Sequence, residues 1–440
     1  MRTDTIVAIS TPPGVGGIAV LRLSGPDALS IAEKHLLLAS QDSFLIPRRA
    51  VYCHFDNLDD VVAVFFPKGY TGEPTVEISC HGSLYIQQTI LETLVADGAR
   101  LALAGEFTQR AFLNGRLNLS QAEAVADLID AVTPAQHRLA VSQLRGGYAD
   151  CLRKLRTELV DLTSLLELEL DFSQEDVEFA DRNHLRELLS TLTTQVISLL
   201  ESFKLGNAVK NGVKVAIVGP PNSGKSTLLN ALLNDDRAIV SNIPGTTRDT
   251  IEETLVIGGT LFRLIDTAGL RHSDDPIEQQ GIERSRRASQ QADIVLVVAD
   301  LTSNDAAVEQ ILQESRNHPC LLVLNKADLT VAPSYGQQAD TVRISALSGQ
   351  GIDALKQALY NKIDSRNHND TLLCNLRHRE ALLHVQKALE QVQNGLDGGL
   401  PADLVAVDLR DALYHLGTIT GEVSSDELLG NIFSRFCVGK

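Results

Sequence analysis

No stretch of the 440 residues approaches the roughly 20 uninterrupted apolar positions that a membrane helix requires, although 44% of the chain is hydrophobic. The opening Met1-Arg2-Thr3-Asp4 runs into a strand-like segment without the pattern of a signal peptide, so a soluble, cytoplasmic protein with no membrane partner is expected. Cysteine gives no framework either. The six, at 53, 80, 151, 320, 374 and 437, form no C-x-x-C pair and no histidine-spaced zinc pattern, which argues against disulfides and a structural metal, and most are expected to be reduced and buried. Basic residues are short as well: 39 Lys and Arg against 56 Asp and Glu leave a net charge of −17. Such a surface repels phosphate backbones, so a nucleic-acid contact would need a local basic patch or a basic partner.

What is present divides along the chain, whose length predicts roughly two to four cores. Up to about residue 115, β-like runs (Thr5 to Ala8, Ile18 to Leu23, Val61 to Phe66, Thr75 to Ser79) mix with helix-like ones (Ala28 to Leu38, Leu84 to Asp97), the mark of an α+β domain. Beyond Ser120 the pattern is helical, with Leu152, Leu155, Leu159, Leu162 and Leu166 on one stripe. Seven acidic residues and no basic one between Glu167 and Asp181 predict a solvated junction.

After Asn211 the pattern becomes βα alternation, with buried-type strands at Val213 to Val218, Ile294 to Ala299, Cys320 to Leu324 and Val342 to Ser345. A doubly wound parallel sheet is predicted. Glu252 to Ile257 and Thr260 to Ile265 flank Gly258-Gly259 and predict a hairpin with an antiparallel edge strand. Helical periodicity returns from about Asn369, through Leu373, Leu376, Leu383, Leu389, Leu404, Leu413 and Leu416, so the helices on both sides of the sheet are expected to form one domain. The expected fold is multidomain α/β plus α: an α+β domain over 1–117, a discontinuous helical domain over 118–211 and 367–440, and an α/β domain inserted at 212–366.

Gly219-Pro220-Pro221-Asn222-Ser223-Gly224-Lys225-Ser226 fits G-x4-G-K-[ST] between an apolar strand and a helical run that continues with Thr227. Backbone N–H groups and the helix N-terminus converge there on the β-phosphate, Lys225 bridges β and γ oxygens, and the Ser226 hydroxyl ligates Mg²⁺. Asp266-Thr267-Ala268-Gly269 closes a later strand, where the carboxylate holds the metal's water shell and Gly269 offers an N–H to the γ-phosphate. Asn325-Lys326-Ala327-Asp328 follows another; an aspartate there accepts from guanine N1–H and the exocyclic amine, which adenine cannot supply, and Ser345-Ala346-Leu347 offers backbone to the base carbonyl. These elements in register predict GTP binding and make the insert at 212–366 a Ras-like P-loop G domain. After D-x-x-G stands Leu270, which has no hydrogen-bonding group to orient water. Asn222 and the segment from Ser241 to Asp249, with Gly245, Thr246 and Thr247, offer oxygens that could hold a monovalent cation where other GTPases place an arginine, and Thr247 is the natural switch ligand to Mg²⁺.

Gly245-Thr246-Thr247-Arg248-Asp249, Leu270 after the D-x-x-G motif, and the terminal Phe436-Cys437-Val438-Gly439-Lys440 together resemble the MnmE (TrmE) family of tRNA modification GTPases. Thr11-Pro12-Pro13-Gly14, Tyr70-Thr71-Gly72-Glu73 and Arg110-Ala111-Phe112-Leu113-Asn114-Gly115 look like the family's N-terminal domain, so the resemblance spans the chain. It implies a folate-binding, dimerising N-terminal domain and a homodimer whose G domains meet in a K⁺-driven, transient contact. It also implies an MnmG-type FAD partner in a heterotetramer or larger complex. The activity implied is a 5-carboxymethylaminomethyl or aminomethyl modification of the wobble uridine of certain tRNAs, using 5-formyltetrahydrofolate or a related folate.

By the same resemblance K⁺ is held by Asn222, Ser241, Ile243 and Thr246, and Mg²⁺ by Ser226 and Thr247. Glu278, which sequence alone reads as a surface carboxylate, would position water. Arg22, Glu77, Arg116 and Lys440 would bind the folate: a carboxylate suits the pterin edge, and Arg and Lys suit the glutamate tail. Arg116 stands where lysine is expected, Ser241 where threonine is usual and Val438 where isoleucine is usual. Cys437 either takes part in the chemistry beside the folate or is merely a terminal thiol. A ribosome-assembly GTPase of the Era or Der kind shares the G domain, but the acidic balance and lack of a basic appendage count against it.

Overall fold

The computed structural model describes residues 4–38, 45–172, 182–236, 253–265, 288–302, 306–316, 318–329, 340–363, 372–434 and 436–439. The chain forms two compact units, Met1–Ala126 with Leu416–Lys440, and Asp127–His415.

In the first unit, β1 (Ile6–Ile9), β2 (Ile18–Ser24), β3 (Leu36–Leu38), β4 (Ala50–Phe55), β5 (Asp59–Phe66), β6 (Thr75–His81) and β7 (Arg100–Leu101) form one sheet in the order β3-β4-β5-β6-β2-β1-β7. Every pairing is antiparallel except β1 with β7. Period-two alternation decides which face is covered: on β5 Val61 and Ala63 are buried while Val62 is exposed. The buried face packs with α1 (Ala28–Glu33) and α2 (Leu84–Ala96) around Leu21, Leu23, Ile31, Ile78, Ile90 and Leu94.

The helix expected over Ala28 to Leu38 stops at Glu33, and Leu36–Leu38 is a strand paired with β4, itself not expected. Three successive leucines have no helical period, and His35 just before them is held by Asp56 and Asp97, at 2.9 and 3.1 Å, where the chain turns.

Farther along, α3 (Glu106–Leu113) and the start of α4 (Leu119–Asp130) share a small core with α13 (Asp426–Phe433): Leu119, Ala122, Leu429, Phe433 and Phe436 are all buried there. Beyond it, Val438 forms an isolated antiparallel bridge with Ala104, outside the strands of the sheet.

In the second unit, α5 (Pro134–Leu144), α6 (Gly147–Phe172), α7 (Arg182–Asn211) and α11 (Leu376–Asp397) pack together. The five leucines expected on one stripe of α6 have no solvent exposure, and each such burial contributes about 1.5–3 kcal/mol over an exposed site. The stripe after the sheet is different. Of the leucines expected on it, Leu373, Leu389 and Leu416 are buried but Leu376, Leu383 and Leu404 are exposed, and the face of α11 that packs is Ala381, Leu382, Val385, Leu389 and Val392. Leucine content cannot choose a helix face; the neighbour does, and the small residues Ala381 and Ala388 permit closer approach. Helix α12 (Ala402–Thr420) follows.

The six-stranded sheet comprises β8 (Val213–Val218), β9 (Glu253–Ile257), β10 (Thr260–Ile265), β11 (Ile294–Asp300), β12 (Cys320–Asn325) and β13 (Thr341–Arg343), in the order β13-β12-β11-β8-β10-β9. All neighbours are parallel except β9 and β10, the expected hairpin about Gly258-Gly259. Helices α8 (Lys225–Asp236), α9 (Ala306–Glu314) and α10 (Ile352–Lys362) alternate with these strands. No helix among the described residues is long and apolar enough to cross a membrane, and all six cysteines are free thiols, with Cys53, Cys80 and Cys374 buried and Cys437 exposed.

Candidate functional site

The strand order reverses at β8, whose neighbours β11 and β10 belong to opposite halves of the sheet, so a crevice opens at its carboxyl end. The phosphate loop leaves β8 there and enters α8 at Lys225. Three loop residues take positive φ: Gly219 at 155°, Asn222 at 61° and Gly224 at 91°. Asparagine tolerates this region, but at 224 only glycine fits, because a Cβ would lie 2.1 Å from Asn325 Nδ2.

Lys225 Nζ donates to the Gly219 and Pro220 carbonyls at 2.9 and 2.7 Å, and burial lowers its pKa from the ordinary lysine value. Ser223 Oγ is buried without a hydrogen-bond partner. A lysine held over a loop at a helix N-terminus, in a loop that also carries an orphaned hydroxyl, suits a polyphosphate. Ser226 and Thr227 occupy the first turn of α8.

The base side is built from the ends of β11, β12 and β13. Asn325, buried at the end of β12, donates from Nδ2 to the Ser223 carbonyl at 2.9 Å and accepts at Oδ1 from the Ala346 amide at 3.0 Å. Ser345 is fully buried, its amide donating to the Gln350 carbonyl at 2.9 Å and its Oγ accepting from the Ser348 amide at 3.2 Å. Lys326, at φ 67°, turns its ammonium to Asp300 at the end of β11. Burial by itself would raise the Asp300 carboxyl, but the Lys326 ammonium with the Thr302 hydroxyl and amide outweighs it, and the pKa is lowered. Asp328 remains exposed. Asp300 is the member that sequence reading missed; its only local signal is an acidic residue closing a fully buried strand.

Asn222, Ser223, Gly224, Lys225, Ser226, Thr227, Asn325, Lys326, Asp328, Ser345 and Ala346 thus gather at the carboxyl ends of the strands. Ser241, Ile243, Gly245, Thr246, Thr247, Asp266, Thr267, Ala268, Gly269 and Glu278 lie outside the described residues, as do Leu270 and Lys440.

In the first unit, Arg22 on β2 and Glu77 on β6 are cross-strand partners, with Arg22 Nε 2.9 Å from Glu77 Oε1. The Arg22 guanidinium lies 5.7 Å from the ring centres of both Tyr70 and Phe107. Arg116 is exposed, its stem beside Gly72. The carbonyl of exposed Cys437 accepts from the Gly105 amide at 3.4 Å, and Ser10 Oγ donates to the Gly439 carbonyl at 3.3 Å.

A parallel sheet with a phosphate loop, a buried Asn325 and an outward Asp328 at its switch point defines a guanine-nucleotide hydrolase of the P-loop class. The profile of the MnmE helical domain matches residues 119–437, and that of the GTP-binding protein TrmE N-terminus matches residues 5–116. The tRNA modification GTPase MnmE of Parabacteroides distasonis is 48% identical over 99% of this chain and 100% of its own, and that of Cytophaga hutchinsonii is 48% identical over 100% and 98%. This chain belongs to the MnmE family of tRNA modification GTPases. It is a GTP hydrolase, and the family implies Mg²⁺ with the nucleotide.

Proposed function

We propose that the chain is a K⁺-dependent GTPase that, with an FAD-dependent MnmG-type partner, modifies the wobble uridine of certain tRNAs. The product carries a 5-carboxymethylaminomethyl or aminomethyl group whose one-carbon unit comes from a folate such as 5-formyltetrahydrofolate. In this reading the domain at 1–117 binds folate and dimerises, and the G domain at 212–366 is inserted between helical halves at 118–211 and 367–440. The packing of α7 on α11, which lie on either side of the sheet in sequence, supports the insertion.

Within the nucleotide site, Lys225 neutralises β and γ oxygens, and the loop amides fix their position. Ser226 and Thr247 would hold Mg²⁺, which supplies charge to the same oxygens. Asn222, Ser241, Ile243 and Thr246 would hold K⁺. Asn222, exposed and at φ 61° in the loop, supports this reading because it is accessible to an ion beside the phosphates. Glu278 orients the attacking water, which Leu270 cannot do.

The observation that carries the folate assignment is the seating of the chain's last residues on the sheet. Gly439 lies against the Ile9 carbonyl, and Ile9 is one residue from Ala8, which pairs with Arg22, which in turn pairs with Glu77. A pterin edge on Glu77 and an anionic tail on Arg22, Arg116 and Lys440 would account for these residue types.

Deleting Cys437 to Lys440 tests the assignment. GTP turnover is expected to stay near the parent value while wobble-uridine modification is lost. An unaltered modified-nucleoside profile by mass spectrometry would sink the folate reading.

A further inference from the structure

Helix α5 carries two glutamines, Gln136 and Gln143, which stand seven residues apart and so share a face two turns along. Each holds one of the two places where the chain crosses between the helices and the six-stranded sheet. On the outgoing crossing, Gln136 Nε2 donates to the Lys210 carbonyl at 2.8 Å, in the last turn of α7. On the return, Gln143 Nε2 lies 3.4 Å from the Leu372 carbonyl and 3.0 Å from Cys374 Sγ, just ahead of α11.

Both crossings have further anchors. Lys210 Nζ pairs with Asp127 at 2.7 Å, and Arg263 of β10 donates to the Asn211 carbonyl at 3.3 Å. The Leu373 amide donates to Ser202 Oγ at 3.1 Å, and its carbonyl passes so near Gly206 of α7 that a Cβ there would lie 2.2 Å from it. Gln136 is itself fixed, since its Oε1 accepts from the Val132 and Thr133 amides at 3.0 Å in a capping box. Helix α5 also packs on β10, the strand that ends one residue before Asp266.

We propose that α5 is a bracket that passes the nucleotide state of the sheet to the helices, with Gln136 and Gln143 as its positioning residues. The inference deepens the proposed function and rests on its premise that GTP turnover drives an event elsewhere in the chain. A shift of β10 on nucleotide exchange presses on α5. Because one rigid helix grips both crossings through side-chain amides, the shift is carried into α7 and α11 together instead of being absorbed by two loose linkers.

The full-length chain with two substitutions provides the test. Gln136→Glu keeps the capping acceptor and removes the donor to Lys210; Gln143→Met keeps the length and removes the donor to Leu372. Hydrogen exchange is followed at 210–213 and 372–377 with GDP and with a non-hydrolysable GTP analogue. In the parent protein the two nucleotides should change exchange at both crossings by about threefold or more. In the double variant that response is lost, while nucleotide affinity and basal GTP hydrolysis stay within about twofold. Should the double variant melt more than about 5 °C lower, Gln136→Glu alone is used, with loss of response expected at 210–213. Parent crossings that ignore the nucleotide, or variant crossings that respond as the parent does, overturn the proposal. A parent protein whose crossings respond but which modifies no tRNA would instead unseat the tRNA reading and leave the bracket standing.

Discussion

Asn325 and Ser223 lie 102 positions apart in sequence and are joined by a 2.9 Å hydrogen bond, while the other end of the same amide holds Ala346. One buried side chain thus ties the phosphate loop to the loop of Ser345 and Ala346.

Two neighbouring substitutions should separate architecture from recognition. Asn325→Ala leaves the Ala346 amide and the Ser223 carbonyl without this partner in a buried place, at about 1–3 kcal/mol each, so both thermal stability and nucleotide affinity should fall. Asp328→Asn changes an exposed group and should leave the melting temperature almost unmoved. Its affinity for GTP should drop by about 10- to 150-fold, the scale of hydrogen bonds to a charged group. Melting curves and titration with a fluorescent guanine nucleotide measure both; full GTP affinity in Asp328→Asn would remove it from the base site.

Gly439 takes φ 96° where a Cβ would lie 2.4 Å from the Ile9 carbonyl. Gly439→Ala should therefore detach the last residues from β1, raising proteolytic sensitivity after Phe436 and leaving GTP hydrolysis unchanged. A tail as resistant as the parent's would show that the contact with Ile9 does not hold it.

Acid should weaken the first unit through Asp4. A hydrogen bond from Arg100 lowers its carboxyl from 3.8 to about 2; burial opposes this, and the charges of Arg100 and Arg110 add to it. The folded value lies below the unfolded one, so the stabilisation is complete above about pH 4 and disappears as the pH falls towards about 2. Chemical denaturation from pH 7 to 2 should show Asp4→Asn less stable than the parent at neutrality, with the gap closing in that window. A gap of constant size would mean that Asp4 acts by packing alone.

Replacing K⁺ by Na⁺ at constant ionic strength should slow GTP hydrolysis by on the order of a hundredfold, the effect of one electrostatic donor at a developing charge. An equal rate in the two salts would mean that protein groups alone stabilise the transition state.

The sequence by itself determined whatever is local. The phosphate loop, the β9–β10 hairpin and the α6 stripe of Leu152 to Leu166 depend on neighbours within a few residues, and each stands where the pattern puts it. The segment from Asn325 to Asp328 was legible for the same reason, as a short motif after a buried strand. Only the tertiary structure decided the rest. It turned Leu36–Leu38 into a strand, because pairing with β4 outweighed the intrinsic preference of leucine for helix. It set Asp300 against Lys326, seated Gly439 on Ile9 and brought α5 to both domain crossings. Those contacts span tens to hundreds of positions along the chain, and no periodicity or spacing records them; they exist because burial and backbone hydrogen bonding bring distant segments together.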